Sequence, residues 1–158
     1  MPKDLAITVK VNGMPISRTV APRLNLVDFL RTELGLTGTH LGCEHGVCGA
    51  CTIRLNGEVI RGCLIFAVQA DGAEVETIEY LSERGDLHAL QQAFHERNAL
   101  QCGFCTPGML LTAHELLTQQ SGSLSREQIR AYMSGNYCRC TGYQAIVDAI
   151  EAVAQRVL

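Results

Sequence analysis

Hydrophobic residues alternate with mostly polar ones from Leu5 through Ile7, Val9 and Val11, the period of a strand with one buried face. Asn12-Gly13 follows as a two-residue hairpin signal, and the run Pro15 to Val20 returns as the partner strand. The period then changes. Leu26, Val27, Leu30 and Leu34 recur at helical spacing behind Asn25, a residue suited to capping a helix N-terminus, and Gly35 supplies the stop. Ile53, Leu55, Asn56-Gly57 and Val59 mark a second hairpin, and a last strand is expected over Val75 to Ile78. Strands around one helix predict a compact α+β unit of about 80 residues.

Beyond it the pattern turns helical. Leu87, Leu90, Phe94 and Leu100 form the apolar stripe of a first helix. Thr106-Pro107, read as N-cap and first-turn proline, opens a second that carries Met109, Leu110, Ala113, Leu116 and Leu117. Ser125 with Gln128 is a capping box for a third helix through Met133, and Tyr143 to Val157 gives a fourth. Gln119 to Ser123 reads as a loop within this half, and the boundary between halves falls near Gly85. The expected organisation is one domain over residues 1–82 and an all-α four-helix domain over 83–158, with no internal repeat.

Composition narrows the function. With 158 residues the chain can bury two small cores. Thirteen basic against sixteen acidic side chains give a formal charge of -3, which leaves no electrostatic footprint for nucleic acid. The longest apolar run, Cys63 to Val68, is far short of the roughly 20 residues of a bilayer span, so no membrane span is expected. Met1 to Leu5 has neither a secretory nor a twin-arginine pattern, which predicts a cytoplasmic protein. In a reducing compartment, eight cysteines in three tight groups read as metal ligands before disulfides.

Cys43-x4-Cys48-x2-Cys51 followed by Cys63 has the spacing of plant-type [2Fe-2S] ligands. A loop that wraps a compact anionic cluster must bring its backbone close to the sulfurs, and Gly42, Gly46 and Gly49 meet that need. The eleven residues between Cys51 and Cys63 are fewer than in a stand-alone plant ferredoxin. No C-x-x-H occurs, so the two histidine ligands of a Rieske centre cannot be assembled, and His45 reads as a loop histidine. Cys102-x2-Cys105 and Cys138-x-Cys140 fall at expected helix starts, where free N–H groups stabilise thiolates. On spacing alone this second set fits either an iron–sulfur cluster or a structural zinc. Arg139 either offsets cluster charge or faces solvent. His40, His88, His95 and His114 stand singly and read as satisfied or solvated side chains.

Three motifs carry a resemblance. Gly42-Cys43-Glu44-His45-Gly46-Val47-Cys48-Gly49-Ala50-Cys51-Thr52, Gln101-Cys102-Gly103-Phe104-Cys105-Thr106-Pro107-Gly108 and Asn136-Tyr137-Cys138-Arg139-Cys140-Thr141-Gly142-Tyr143 resemble the two-cluster iron–sulfur small subunit of the xanthine oxidase family of molybdenum hydroxylases. The resemblance implies a β-grasp, plant-ferredoxin-like domain followed by a four-helix domain, each with one [2Fe-2S] cluster. It implies Cys43, Cys48, Cys51 and Cys63 as ligands of the cluster nearer a flavin, and Cys102, Cys105, Cys138 and Cys140 as ligands of the one nearer a molybdopterin. By the same resemblance Gln101 hydrogen-bonds that pterin and Cys140 touches it. The chain is too short to hold the molybdenum and flavin regions of single-chain relatives, and it has no P-loop or G-x-G-x-x-G fingerprint. Molybdopterin, with the cytosine dinucleotide as one form, is therefore expected on a large partner subunit and FAD on a medium one, in a complex that dimerises. The implied role is electron transfer, with a stand-alone two-cluster ferredoxin or redox sensor, and a zinc-stabilised module, as alternatives. Two oxidised clusters counted with their thiolates carry about -2 apiece and bring the loaded chain to about -7, a self-repulsion that hydrogen bonding must offset.

Overall fold

The structure, a computed structural model, describes residues 3–119 and 123–157, so most of the expected loop over Gln119 to Ser123 lies outside the described residues. β1 (Leu5–Val11) and β2 (Met14–Val20) pair antiparallel around Asn12-Gly13, whose φ values of +51° and +80° are those of a type I′ turn. This register sends Ile7, Val9 and Val11 into the core. β3 (Thr52–Leu55) and β4 (Glu58–Arg61) repeat the device around Asn56-Gly57. β5 (Glu74–Glu76) lies between the hairpins, parallel to β1 and antiparallel to β3, and the mixed sheet runs β2-β1-β5-β3-β4.

β5 stops before the expected Ile78. The Asn12 side chain accepts the Thr77 N–H at 2.9 Å and donates to the Thr77 hydroxyl at 3.0 Å, so the ladder ends there and Ile78 starts a helix instead. In the first half Asn25 caps as expected, its side-chain oxygen accepting the Val27 N–H at 2.8 Å. The helix is α-helical only over α1 (Leu26–Asp28) and widens into a π-turn over Phe29–Glu33. Leu26, Phe29 and Leu30 close the core against the sheet.

Five helices follow the sheet among the described residues, where the sequence predicts four: α2 (Ile78–Glu83), α3 (His88–Glu96), α4 (Thr106–Gln119), α5 (Arg126–Met133) and α6 (Gln144–Val157). The extra one, α2, crosses the expected boundary at residue 82, and its Ile78 and Leu81 pack into the helical core with Leu87, Phe94, Met109 and Ile150. α3 ends before Leu100, which is partly exposed; Asn98 at φ +51° breaks the helix and Ala99 is buried in its place. The Thr106 side chain is not the cap of α4. The Cys105 carbonyl accepts the Met109 N–H at 3.0 Å, so Cys105 holds the capping position and the Thr106 hydroxyl is buried without a partner. Ser125 and Gln128 form the expected capping box. α6 starts one residue late because Tyr143, at φ +68°, sits at its N-cap. Arg126 clamps α5 to α6 through Asp148 and Glu151.

Candidate functional site

The stretch from α1 to β3 carries Cys43, Cys48 and Cys51, and Cys63 sits on the short 3₁₀ turn Gly62–Leu64 after β4. The Gly62 N–H donates to the Cys51 carbonyl at 3.1 Å, and the Asn25 amide donates to the Cys63 carbonyl at 2.7 Å, so the capping residue of α1 also anchors the fourth cysteine. Cys51 and Cys63 form a buried pair against Val27 and Leu41. Cys43 and Cys48 form the outer pair, with the Cys48 N–H 3.3 Å from Cys43 Sγ. Backbone N–H groups of His45 and Cys48 hold the Cys43 thiol down at about 6, and burial pushes Cys51 up to about 12. Gly46 and Gly49 have φ of +84° and +76°, while Gly42 serves by close approach, since a Cβ there would lie 3.1 Å from Cys48 Sγ. His45 is a loop residue whose ring meets the Cys43 carbonyl.

The second set also comes in pairs. Cys102 and Cys140 are exposed with their sulfurs 3.6 Å apart. Cys105 and Cys138 are half-buried and line one recess together with the exposed pair. Burial pushes Cys105 up to about 12. Burial also raises Cys138, but the Thr141 hydroxyl and the N–H groups of Cys140 and Thr141 outweigh it, and the net shift is downward. Cys105 does stand at a helix start. Cys138 and Cys140 do not, because a turn with Gly142 and Tyr143 at positive φ separates them from α6. Hydrogen bonds of that turn take the place of the helix end: Thr141 Oγ1 donates to Cys138 Sγ at 3.2 Å, and the Tyr143 hydroxyl accepts the Cys138 N–H at 2.8 Å. Gln101 is exposed and donates to the Cys140 carbonyl at 3.0 Å, and Arg139 faces solvent. A recess of about 140 Å³ is lined by the four cysteines together with Phe104, Tyr137 and Arg139.

The two sets meet at a hydrogen-bonded seam. The Tyr137 N–H donates to the Cys48 carbonyl at 2.8 Å. Beside it Asn136, 1% exposed, donates to the Gly49 carbonyl at 3.2 Å and accepts from the Thr112 hydroxyl at 3.0 Å. Arg61 donates to the Thr52 hydroxyl at 2.7 Å and the Gly135 carbonyl at 2.8 Å. On the far side the His40 ring meets the Phe104 carbonyl at 2.7 Å and stacks on the Phe104 ring. Nothing local in the sequence marks Arg61 or His40 for this seam. Asn136, Thr141 and Tyr143 were legible in principle, since they flank the last cysteine pair.

Cysteines in two pairs, with N–H or O–H donors at Cys43 and Cys138 and a recess lined by the second four, fit a cluster whose two irons take two cysteines each. A family model described as "2Fe-2S iron-sulfur cluster binding domain" matches residues 9–82, and one described as "[2Fe-2S] binding domain" matches residues 77–151. Over 150 residues the chain is 57% identical to the caffeine dehydrogenase subunit gamma of Pseudomonas sp. (strain CBB1), spanning 94% of this chain and 90% of that protein. The chain belongs to the iron–sulfur small subunits of the molybdenum hydroxylases. This iron–sulfur subunit is also 51% identical over 150 residues to the nicotine 6-hydroxylase small subunit of Paenarthrobacter nicotinovorans, with 94% and 90% covered. Its fold is similar to that in the crystal structure of quinoline 2-oxidoreductase from Pseudomonas putida 86, with a TM-score of 0.89, 49% identity and 98% of each chain covered. It is the electron-transfer component of a multi-subunit oxidoreductase, and its two domains bind [2Fe-2S] clusters. No helix among the described residues is long and apolar enough to cross a membrane.

Proposed function

We propose that Cys43, Cys48, Cys51 and Cys63 ligate one [2Fe-2S] cluster and Cys102, Cys105, Cys138 and Cys140 the other. The exposed Cys102–Cys140 side, with Gln101, faces molybdopterin held by a large partner, and the β-sheet end faces FAD on a medium partner. The observation that most supports a relay through both sets is the direct hydrogen bond from Tyr137, next to Cys138, to Cys48, which offers a short path between Cys138 and Cys48. When bound, the clusters supply one-electron carriers between a two-electron oxidation and its acceptor. This chain's residues do the rest. Backbone N–H groups and the Thr141 hydroxyl offset thiolate charge. Asn25 and the Gly62 turn return Cys63 to its partners, and the seam fixes the two sets relative to each other.

The division into a β-grasp domain over 1–82 and a four-helix domain over 83–158 belongs to this proposal, with α2 as the hinge piece. So do a cytoplasmic location and dimerisation of the whole complex. Names of relatives that handle caffeine, nicotine and quinoline support an aromatic N-heterocycle as the substrate of the partner site.

The test is to purify the subunit with its natural partners and count metals. Four irons per copy with about one molybdenum is the expected result, as two [2Fe-2S] sites beside one pterin centre require. Iron without molybdenum overturns the relay in favour of a free ferredoxin, and zinc in place of iron overturns the ligand assignment.

A further inference from the structure

The turn between Cys138 and α6 contains a hydroxyl placed for more than folding. Thr141 Oγ1 lies 3.2 Å from Cys138 Sγ and 3.2 Å from the backbone nitrogen of Tyr143. The second contact sets the direction of the first. A backbone N–H only donates, so the oxygen accepts from Tyr143 and its own hydrogen turns to the sulfur. Tyr143 is held in turn: its hydroxyl accepts the Cys138 N–H at 2.8 Å and donates to the Asn136 carbonyl at 3.2 Å. That lock accounts for a bulky residue at φ +68°, a conformation such side chains avoid. The rotor of Thr141 is therefore defined by a loop of hydrogen bonds whose other members are the Cys138 sulfur, backbone groups and one phenol. Among the described residues it is the one hydroxyl that donates to a cysteine sulfur. The sulfur it chose belongs to the half-buried Cys105–Cys138 pair, not to the exposed Cys102–Cys140 pair, and Cys138 is the cysteine whose neighbour reaches the first set.

We propose that Thr141 is a positioning residue that sets the reduction potential of the second centre, its hydroxyl holding that potential up through the Cys138 sulfur. The inference rests on the reading of Cys138 as a cluster ligand. Reduction adds one electron, supplied from the partner's molybdopterin site, and no bond forms or breaks. The proton stays on Thr141 Oγ1 in both states. Its hydrogen bond strengthens as negative charge grows on the sulfur, so the reduced form gains more than the oxidised one. A backbone donor does the same work but cannot be removed by substitution. A side-chain donor can, which makes this potential adjustable by a single residue.

The experiment is an EPR-monitored redox titration of the assembled complex, in which the first centre is an internal control. Thr141→Val keeps the shape and removes the hydroxyl. The expected result is a shift of about tenfold in the second centre's reduction equilibrium toward the oxidised form, or about 59 mV downward for one electron, with the first midpoint unmoved. Thr141→Ser restores the wild-type midpoint, and Thr141→Ala is a second hydroxyl-free variant that reads the same shift where valine fails to pack. An unmoved second midpoint in a hydroxyl-free variant that keeps both signals overturns the inference and leaves the ligand assignment standing. A fall of both midpoints together, or a shift that serine does not reverse, also overturns it. Survival of both signals in Cys138→Ser overturns the ligand assignment instead.

Discussion

The amide nitrogen of Tyr137 donates to the carbonyl oxygen of Cys48 across 2.8 Å, so a peptide group adjoining one cysteine set is bonded to a cysteine of the other. No side chain intervenes. Geometry at this contact is maintained by the Asn136 amide, whose donors and acceptor are all satisfied within the seam.

Replacing Asn136 with alanine strands the buried Thr112 hydroxyl as a donor, while Arg61 keeps the Thr52 hydroxyl and the Gly135 carbonyl, and the Gly49 carbonyl keeps the Thr52 hydroxyl. The expected cost is about 1–3 kcal/mol, since one unpaired buried polar group bears its full desolvation penalty. Denaturant unfolding measures that loss. EPR of the fully reduced complex measures the consequence for the relay: both cluster signals remain, and the magnetic splitting between them shrinks. Wild-type splitting in a destabilised variant excludes a role for Asn136 in fixing the separation.

Gly108, in the first turns of α4, faces the Gly49 carbonyl so closely that a Cβ would fall 2.3 Å from the oxygen. Backbone cannot swing aside as a side chain does. Gly108→Ala is expected to cost about 4 kcal/mol or more, seen as a melting point lower by about 8 °C or as failure to assemble. Gly72→Ala is the control, because a Cβ there meets nothing within 4 Å and the cost is only the left-handed backbone, about 1 kcal/mol. Equal losses in the two variants contradict the close contact.

Cys43→Ser and Cys138→Ser separate the two centres. Each is expected to abolish one [2Fe-2S] EPR signal and leave the other, because the two sets share no cysteine. Loss of both signals from a folded and assembled single mutant contradicts two independent sites.

His114 on α4 is half-buried, and that burial, aided by the Arg54 guanidinium, lowers its pKa below 6.5. Arg84 acts in the same direction, while Asp86 and Glu76 oppose it. The unfolded chain takes up the proton near pH 6.5 and the folded chain only at lower pH. Stability from the neutral ring is therefore full above that point and declines as pH falls through the window down to the folded pKa. His114→Gln is expected to flatten the dependence of unfolding free energy on pH between about 7 and 5. Identical slopes for variant and wild type exclude His114 as the source.

Both hairpins were legible because Asn12-Gly13 and Asn56-Gly57 are turns whose backbone few other residues accept. The cysteine spacings disclosed the chemistry, since a metal cluster dictates residue type directly. Less was legible where one local pattern serves two structures. Val75 to Ile78 reads as a continuous strand, and only the distant Asn12 side chain ends it at Thr77. Thr106-Pro107 has the composition of a helix cap, yet Cys105 occupies that position, its carbonyl accepting the Met109 N–H. Arg61 and His40 bind partners 74 and 64 residues away, distances at which no periodicity or spacing survives.

The contact between Gly49 and Gly108 makes the halves poor candidates for exchange among relatives. Two peptide backbones pressed together act as a gauge block: the gap is fixed by atomic radii, with no rotamers to take up tolerance. A chimera that joins the sheet half of one subunit to the helical half of another must keep glycine at 108, against the Gly49 carbonyl, and at 49, where a Cβ would fall 2.7 Å from the Gly135 carbonyl, or lose its fit.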